Sequence, residues 1–146
     1  MDQGELTTIG KVIFLKSVDI FRHAAIEELG GVAAMIEEVH FQPSEAIIRG
    51  GEPVDSIHFI LKGRVSVERN GRMVREVGKK QEFGTVAALD LGPAIYTVKA
   101  IEPVHALKLN AQDFYDILSV DFELGRAVFR ALFRLIREAQ SMPRGD

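Results

Sequence analysis

Apolar positions follow three regimes along the chain. Over about the first 35 residues they recur at helix spacing. Leu6, Ile9, Val12 and Ile13 recur around a candidate cap at Thr7 or Thr8, and Ala25, Ile26, Leu29, Val32, Ala33 and Ile36 follow a break at residues 17–21. Gly30-Gly31 lies inside the second pattern, where glycine weakens or bends a helix. From Val39 the punctuation changes to Pro43, Gly50-Gly51, Pro53, Gly63, Asn70-Gly71, Gly78 and Gly92-Pro93. Short stretches rich in β-branched and aromatic residues lie between them, at 46–49, 56–61, 64–69, 72–77, 96–101 and 105–110. Asn70-Gly71 predicts a two-residue hairpin, since both central residues of such a turn need positive φ. Helical spacing returns at 111–118, with Asn110 as cap. Leu124, Ala127, Val128, Ala131, Leu132, Leu135 and Ile136 then form a stripe along a helix over residues 122–140. Phe129 and Phe133 widen that stripe, and residues 142–146 read as a frayed tail.

Helices, a glycine-punctuated β region, then helices predict an α+β fold. Its centre is an antiparallel β-roll, of double-stranded β-helix or jelly-roll type, flanked by N-terminal helices and a C-terminal helix. The expected organisation is a single domain over 1–146, with helices in 1–37, the roll in 38–110 and helices in 111–140.

Composition narrows the chemistry. A net charge of −3 over 146 residues gives no basic field for nucleic acid. With no cysteine, the chain has no disulfide and no thiol chemistry. No apolar run is long enough to span a bilayer, and the start lacks a secretory pattern, so a cytoplasmic domain is expected. His23, His40, His58 and His105 are too far apart in sequence for a cupin-like metal set, so no metal site is expected and His58 reads as a partly buried strand histidine. The Gly50-Gly51 turn lacks the Gly-Lys-Ser/Thr ending of a phosphate-binding P-loop, and Glu27-Glu28 and Glu37-Glu38 read as solvated faces. No catalytic constellation is read, and the chain is not expected to be an enzyme.

Two stretches carry a family resemblance. Residues 47–67 hold an apolar pair, a Gly51-Glu52 turn, an apolar strand with Ile57, Phe59 and Ile60, and a closing Gly63. Val54 stands at a position that is small in the family, and His58 interrupts its apolar run. Residues 83–100 open with Phe83-Gly84, keep a small residue at Ala87, and place Pro93 at the family's distance from the glycine. Together, over 14–139, the chain resembles the cyclic nucleotide-binding domain family, the roll of catabolite activators, protein kinase A regulatory subunits and gated channels.

That resemblance implies a phosphate-binding cassette. Its helix-start N–H groups would meet the cyclic phosphate. An arginine after the proline would add a charge-assisted bond, and a glutamate after the glycine would take the ribose hydroxyl. The cassette-equivalent positions here are Gly84, Thr85, Val86, Ala87, Ala94, Ile95, Tyr96 and Thr97. Thr85 replaces the glutamate, Ala94 the arginine, and the bulky Ile95 and Tyr96 replace small residues. Losing two charged hydrogen bonds weakens binding about 10²- to 10⁴-fold, and Tyr96 is expected to fill ligand space. Lys99 shares a strand face with Thr97 and could reach an anion only if both face the pocket.

The implied function is a regulatory or interaction module with lost or weakened cyclic nucleotide binding and no cofactor. The alternative is a small-ligand sensor with altered contacts. The C-terminal helix, through Phe129 and Phe133, is the expected route to a homodimer or to a fused or separate partner. The sequence stops directly after that helix, so no DNA-reading element is expected. Arg126, Arg130, Arg134 and Arg137 read as a solvated face of it. Both ends of the chain look similar to bacterial versions of the domain appended to transporters or helical-repeat proteins.

Overall fold

The computed structural model describes residues 6–141, so the frayed tail read at 142–146 lies outside the described residues. Helix α1 (Thr8–Lys16) starts at Thr7, whose hydroxyl accepts from the Gly10 N–H at 2.9 Å. A 3₁₀ turn (Asp19–Phe21) fills the break and buries Ile20 and Phe21. In α2 (Ile26–Ala33) the Glu28 carboxylate accepts from the Ala25 N–H at 3.0 Å. The apolar stripe is only partly the buried one. Ile9, Ile13 and Ile26 point to solvent, while Val12, Leu15, Leu29 and Val32 face the core. Gly31 is also no weak point: a Cβ there would stand 2.7 Å from Ile117 Cδ1, so the glycine admits the neighbouring helix.

The roll comprises β1 (Glu37–Phe41), β2 (Ala46–Ile48), β3 (Ser56–Lys62), β4 (Val65–Arg69), β5 (Arg72–Val77), β6 (Glu82–Phe83), β7 (Thr97–Ala100) and β8 (Val104–Asn110). Helix α3 (Thr85–Asp90) lies between β6 and β7, and α4 (Ala111–Val120) and α5 (Phe122–Ser141) follow β8. Two antiparallel four-stranded sheets form, in the orders β1-β8-β3-β6 and β2-β7-β4-β5. The α+β roll read from the sequence is the architecture observed. Strands β1 and β6 are additions to that reading. β1 is polar and short, and β6 has two residues; cross-strand partners alone define them. Asn70 and Gly71 have φ of 54° and 78°, the hairpin geometry expected of them.

Strand β3 is buried on both faces, and its alternation connects two cores. Ile57 and Phe59 point to the helices, where Phe21, Leu29, Phe114, Leu124 and Val128 pack. Ile60 points between the sheets, against Val65, Val67, Val77, Phe83 and Val98. Helix α5 seats Leu124, Ala127, Val128 and Ala131 on the first core and leaves Phe122, Phe129 and Phe133 exposed. Among the described residues no helix is long and apolar enough to cross a membrane.

Candidate functional site

Residues 84–96 supply part of the wall of a cavity because their backbone is fixed at both ends. Gly84 has φ of 84°, and a Cβ there would come within 3.0 Å of Ser56 O and 3.2 Å of Ile48 Cδ1. Only glycine combines that left-handed geometry with so close an approach. At the other end, the Gly51 N–H donates to Ala94 O at 2.7 Å and the Ala94 N–H donates to Glu52 O at 2.9 Å. An isolated Pro53–Pro93 bridge adds to this, so the Gly51-Glu52 turn holds the far half of the segment.

The cavity encloses about 440 Å³, a volume in the range of small-molecule sites. Gly84, Thr85, Val86 and Ala87 line one part of it, and Ala94, Ile95 and Tyr96 another. Thr97 stands apart from them. Its strand alternates so that Val98 and Ala100 face inward, and the Thr97 hydroxyl accepts from the Gly50 N–H at 2.9 Å. Lys99, on the same outer face, pairs with Glu68 at 3.6 Å. Neither side chain reaches the cavity.

The bulky residues leave the space open. Ile95 is 58% exposed at the rim, and Tyr96 packs against the inter-sheet core, so the cavity is not filled as the sequence suggested. Ala94 is buried, and no cation extends from its position. Thr85 turns its hydroxyl inward beside the Glu82 carboxylate. Both Thr85 Oγ1 and Glu82 Oε2 are buried without a well-formed hydrogen bond among the described residues.

Among the lining residues that escaped the sequence reading are Glu82, Arg75, Lys80 and Leu135. Leu135 was read as core stripe, yet it is where α5 meets the cavity. A carboxylate flanking the Phe83-Gly84 opening, and an arginine alternating with Val77, were the available signals. Among the described residues no group of three or more His, Cys, Asp or Glu side chains could hold a metal ion.

Two buried groups with opposed titrations flank Phe83. His58 is more deeply buried than a strand histidine of mixed exposure and stacks on Phe83 at a centroid distance of 4.9 Å. Burial, then Lys108, lowers its pKa to about 4. Burial raises Glu82 to about 7, against the Thr85 hydroxyl and with a further push from Asp19. A depressed histidine contributes stability that is present above 6.5 and lost as pH falls towards 4. A raised carboxyl contributes stability that is full below 4.5 and lost as pH rises through about 7. Between pH 4.5 and 6.5 the two run against each other. Glu82→Gln is therefore expected to lose about 2–3 kcal/mol relative to the parent on going from the top to the bottom of that window. His58→Phe is expected to move the other way. Denaturant unfolding at a series of pH values measures both, and parallel profiles for parent and Glu82→Gln would refute the assignment.

Comparison with known proteins agrees with this fold. The family model described as "Cyclic nucleotide-binding domain" matches residues 38–121. The potassium channel SKOR of Arabidopsis thaliana is 27% identical over 124 residues, 82% of this chain and 15% of the channel. The cAMP-dependent protein kinase regulatory subunit of Dictyostelium discoideum is 32% identical over 109 residues, 69% of this chain and 33% of the subunit. The chain thus spans a third or less of these relatives. Among solved structures, the N-terminal domain of a transcriptional regulator from Streptomyces coelicolor A3(2) superposes with a TM-score of 0.78 at 27% identity. That match covers 90% of this chain and 99% of that domain.

Proposed function

This chain belongs to the cyclic nucleotide-binding domain family, and from that premise we propose that it is a regulatory module with an open ligand cavity and a weakened hold on cyclic phosphate. One observation carries the reading. Ala94, which is 7% exposed, stands in the cavity wall where the family resemblance calls for arginine. The cassette therefore offers an anion no charged partner, and charged hydrogen bonds are the strong ones. Thr85 adds nothing to compensate, because its hydroxyl is turned towards Glu82.

Helix α5 is the proposed output. Leu135 lines the cavity, while Phe129 and Phe133 are 64% and 62% exposed further back along the same helix. A ligand touching Leu135 would bias how α5 sits, and with it the exposed phenylalanine face through which the module pairs with a second copy or with another segment of a longer protein. The reading assigns no catalytic step and no cofactor.

Thermal unfolding with added cyclic AMP or cyclic GMP tests the proposal. Either ligand at a few millimolar is expected to stabilise the parent chain by less than about 1 kcal/mol. Half-saturation at micromolar ligand or below would overturn it.

A further inference from the structure

A second cavity, of about 410 Å³, is lined by residues of β1, β2, β3 and β8 and plays no part in the function proposed above. In the ladders of β8, Lys108 pairs with His58 on one side and with Glu37 on the other. Directly paired residues share a sheet face. Ile60 and Ala106, the next pair on that face, lie in the inter-sheet core. His58 and Lys108 therefore project between the sheets, and both line this cavity. Ile48 and Val54 line it too and also line the first cavity, so they form a partition between the two spaces.

Two donors meet there unspent. His58 is 6% exposed, and its ring is held by Phe83, stacked at 4.9 Å, and by Phe41, edge-on at 5.7 Å. Its Nδ1 is enclosed and has no hydrogen-bond partner among the described residues. With a pKa of about 4 the ring is neutral at neutral pH, and a neutral imidazole carries one N–H. An enclosed N–H without an acceptor is costly, so the proton belongs on Nε2, the nitrogen left to meet the cavity. Lys108 lies near enough to depress the histidine, yet among the described residues it makes no ion pair, with Glu37 or any other acid. Arg49, exposed at the rim, is equally unpaired among them.

The lining acids limit what these donors can take. Glu38 accepts from the Leu6 N–H at 2.6 Å and meets the His105 ring at 2.7 Å. Asp55 accepts from the Ser56 hydroxyl at 3.0 Å, and Glu52 is exposed in its turn. Three carboxylates around two cations oppose a dianion such as phosphate, whereas a single negative charge is matched by Lys108 and the imidazole N–H. Val39, Phe41, Ile47 and the partition supply an apolar wall beside them. We propose that this second cavity takes a small monocarboxylate with a compact apolar body, its anion held by Lys108 and the His58 N–H and its body against Ile48 and Val54. The charge-assisted bonds fix the acid, and the apolar wall selects its size.

The probe is isovalerate, titrated into isotopically labelled chain while the backbone amide and imidazole nitrogen signals are followed by NMR, beside isovaleramide, acetate and inorganic phosphate. Isovalerate is expected to bind with a roughly millimolar Kd, the range open to so small a ligand, and to move the Nε2 signal of His58. Isovaleramide, the same shape without the charge, should bind roughly 10- to 100-fold more weakly. Acetate, the same charge without the body, should bind roughly 5- to 50-fold more weakly. Lys108→Met keeps the apolar stem and should lose what isovaleramide loses, while Lys108→Arg should retain most of the affinity; circular dichroism checks that both fold. The isovaleramide comparison needs no variant and decides the matter if Lys108→Met misfolds. Unmoved His58 signals at isovalerate well above millimolar overturn the proposal. So do equal affinities for isovalerate and isovaleramide, phosphate binding as tight as isovalerate, or a folded Lys108→Met chain with unchanged affinity. Shifts confined to Ile95 and Tyr96 would put the acid in the first cavity and overturn it as well. Cyclic nucleotide binding, strong or absent, bears on the first cavity alone, so the failure of that reading leaves this one standing.

Discussion

Ala94→Arg is expected to raise the affinity for cyclic AMP and cyclic GMP by roughly 10- to 150-fold, and to leave guanosine and adenosine affinities nearly unchanged. The backbone at this position is already in place. Its N–H and C=O are both engaged by the Gly51-Glu52 turn, so a new side chain does not need to build the loop that carries it. The cavity beside it is open, which gives a guanidinium room that a filled pocket would deny. A charge-assisted bond to phosphate is absent for the nucleosides, so the gain should separate the two ligand types. Restoring the glutamate at position 85 is a different matter. A second carboxylate would land beside Glu82, and two like charges in a buried site raise each other's pKa. Thr85→Glu is therefore expected to help only in a Glu82→Gln background. The triple variant Glu82→Gln, Thr85→Glu, Ala94→Arg should approach a total gain of about 10²- to 10⁴-fold. Titration calorimetry decides the point. An Ala94→Arg protein that folds normally and binds cyclic nucleotides no better than the parent would show that the cassette does not face the phosphate.

Phe21→Ala is expected to destabilise the fold by about 3–5 kcal/mol, a large share of the total stability of a domain this size. Phe21 is fully buried in the 3₁₀ turn, with its ring 5.7 Å from Phe59 of β3 and 5.8 Å from Phe114 of α4. It therefore links the N-terminal segment, the central strand of the helix-facing core and the helix that leads into α5. Removing it leaves a cavity among elements that cannot close independently, because each is also held by its own backbone ladder. Phe21→Leu should recover most of the loss by refilling volume. Urea denaturation measures both. A cost below about 1 kcal/mol for the alanine variant would mean that the N-terminal segment contributes little to holding the roll.

Much of the architecture was legible because it depends on local chemistry. Thr7 and Asn110 cap helices through their own side chains, and Asn70-Gly71 turns a hairpin because both residues tolerate positive φ. Periodicity located α4 and α5. It could not choose among faces that are all partly apolar, and so Ile9 and Ile13 were placed on a stripe with Val12, whereas the helix buries Val12 and Leu15, a residue outside that stripe. β1 was hidden for a related reason. Glu37, Glu38 and His40 carry no strand signal, and the segment is a strand because β8 pairs with every one of its residues.

The cassette divides in the same way. Its proposed outline, from the opening Gly84 to Pro93, rests on residue type and spacing, and so does the proposal that Thr85 and Ala94 stand where the family carries charges, since those are identities. Where each side chain points depended on register. Thr97 and Lys99 share a face, as strand alternation requires, but only the pairing of β7 between β2 and β4 makes it the outer one. Arg75 is the converse: a charged residue in an exposed-looking strand, placed inside by its register opposite Val67. Glu82 and Leu135 reach the cavity from positions 53 residues apart, brought to it by tertiary packing that no local pattern encodes. By itself the sequence determined the elements, the turns and the uncharged identities of Thr85 and Ala94 at the proposed cassette positions, because these follow from each residue's own chemistry and its near neighbours. The tertiary structure alone decided that the cavity stays open and which charges face it, because side-chain direction is set by strand register and helix packing over long sequence separations.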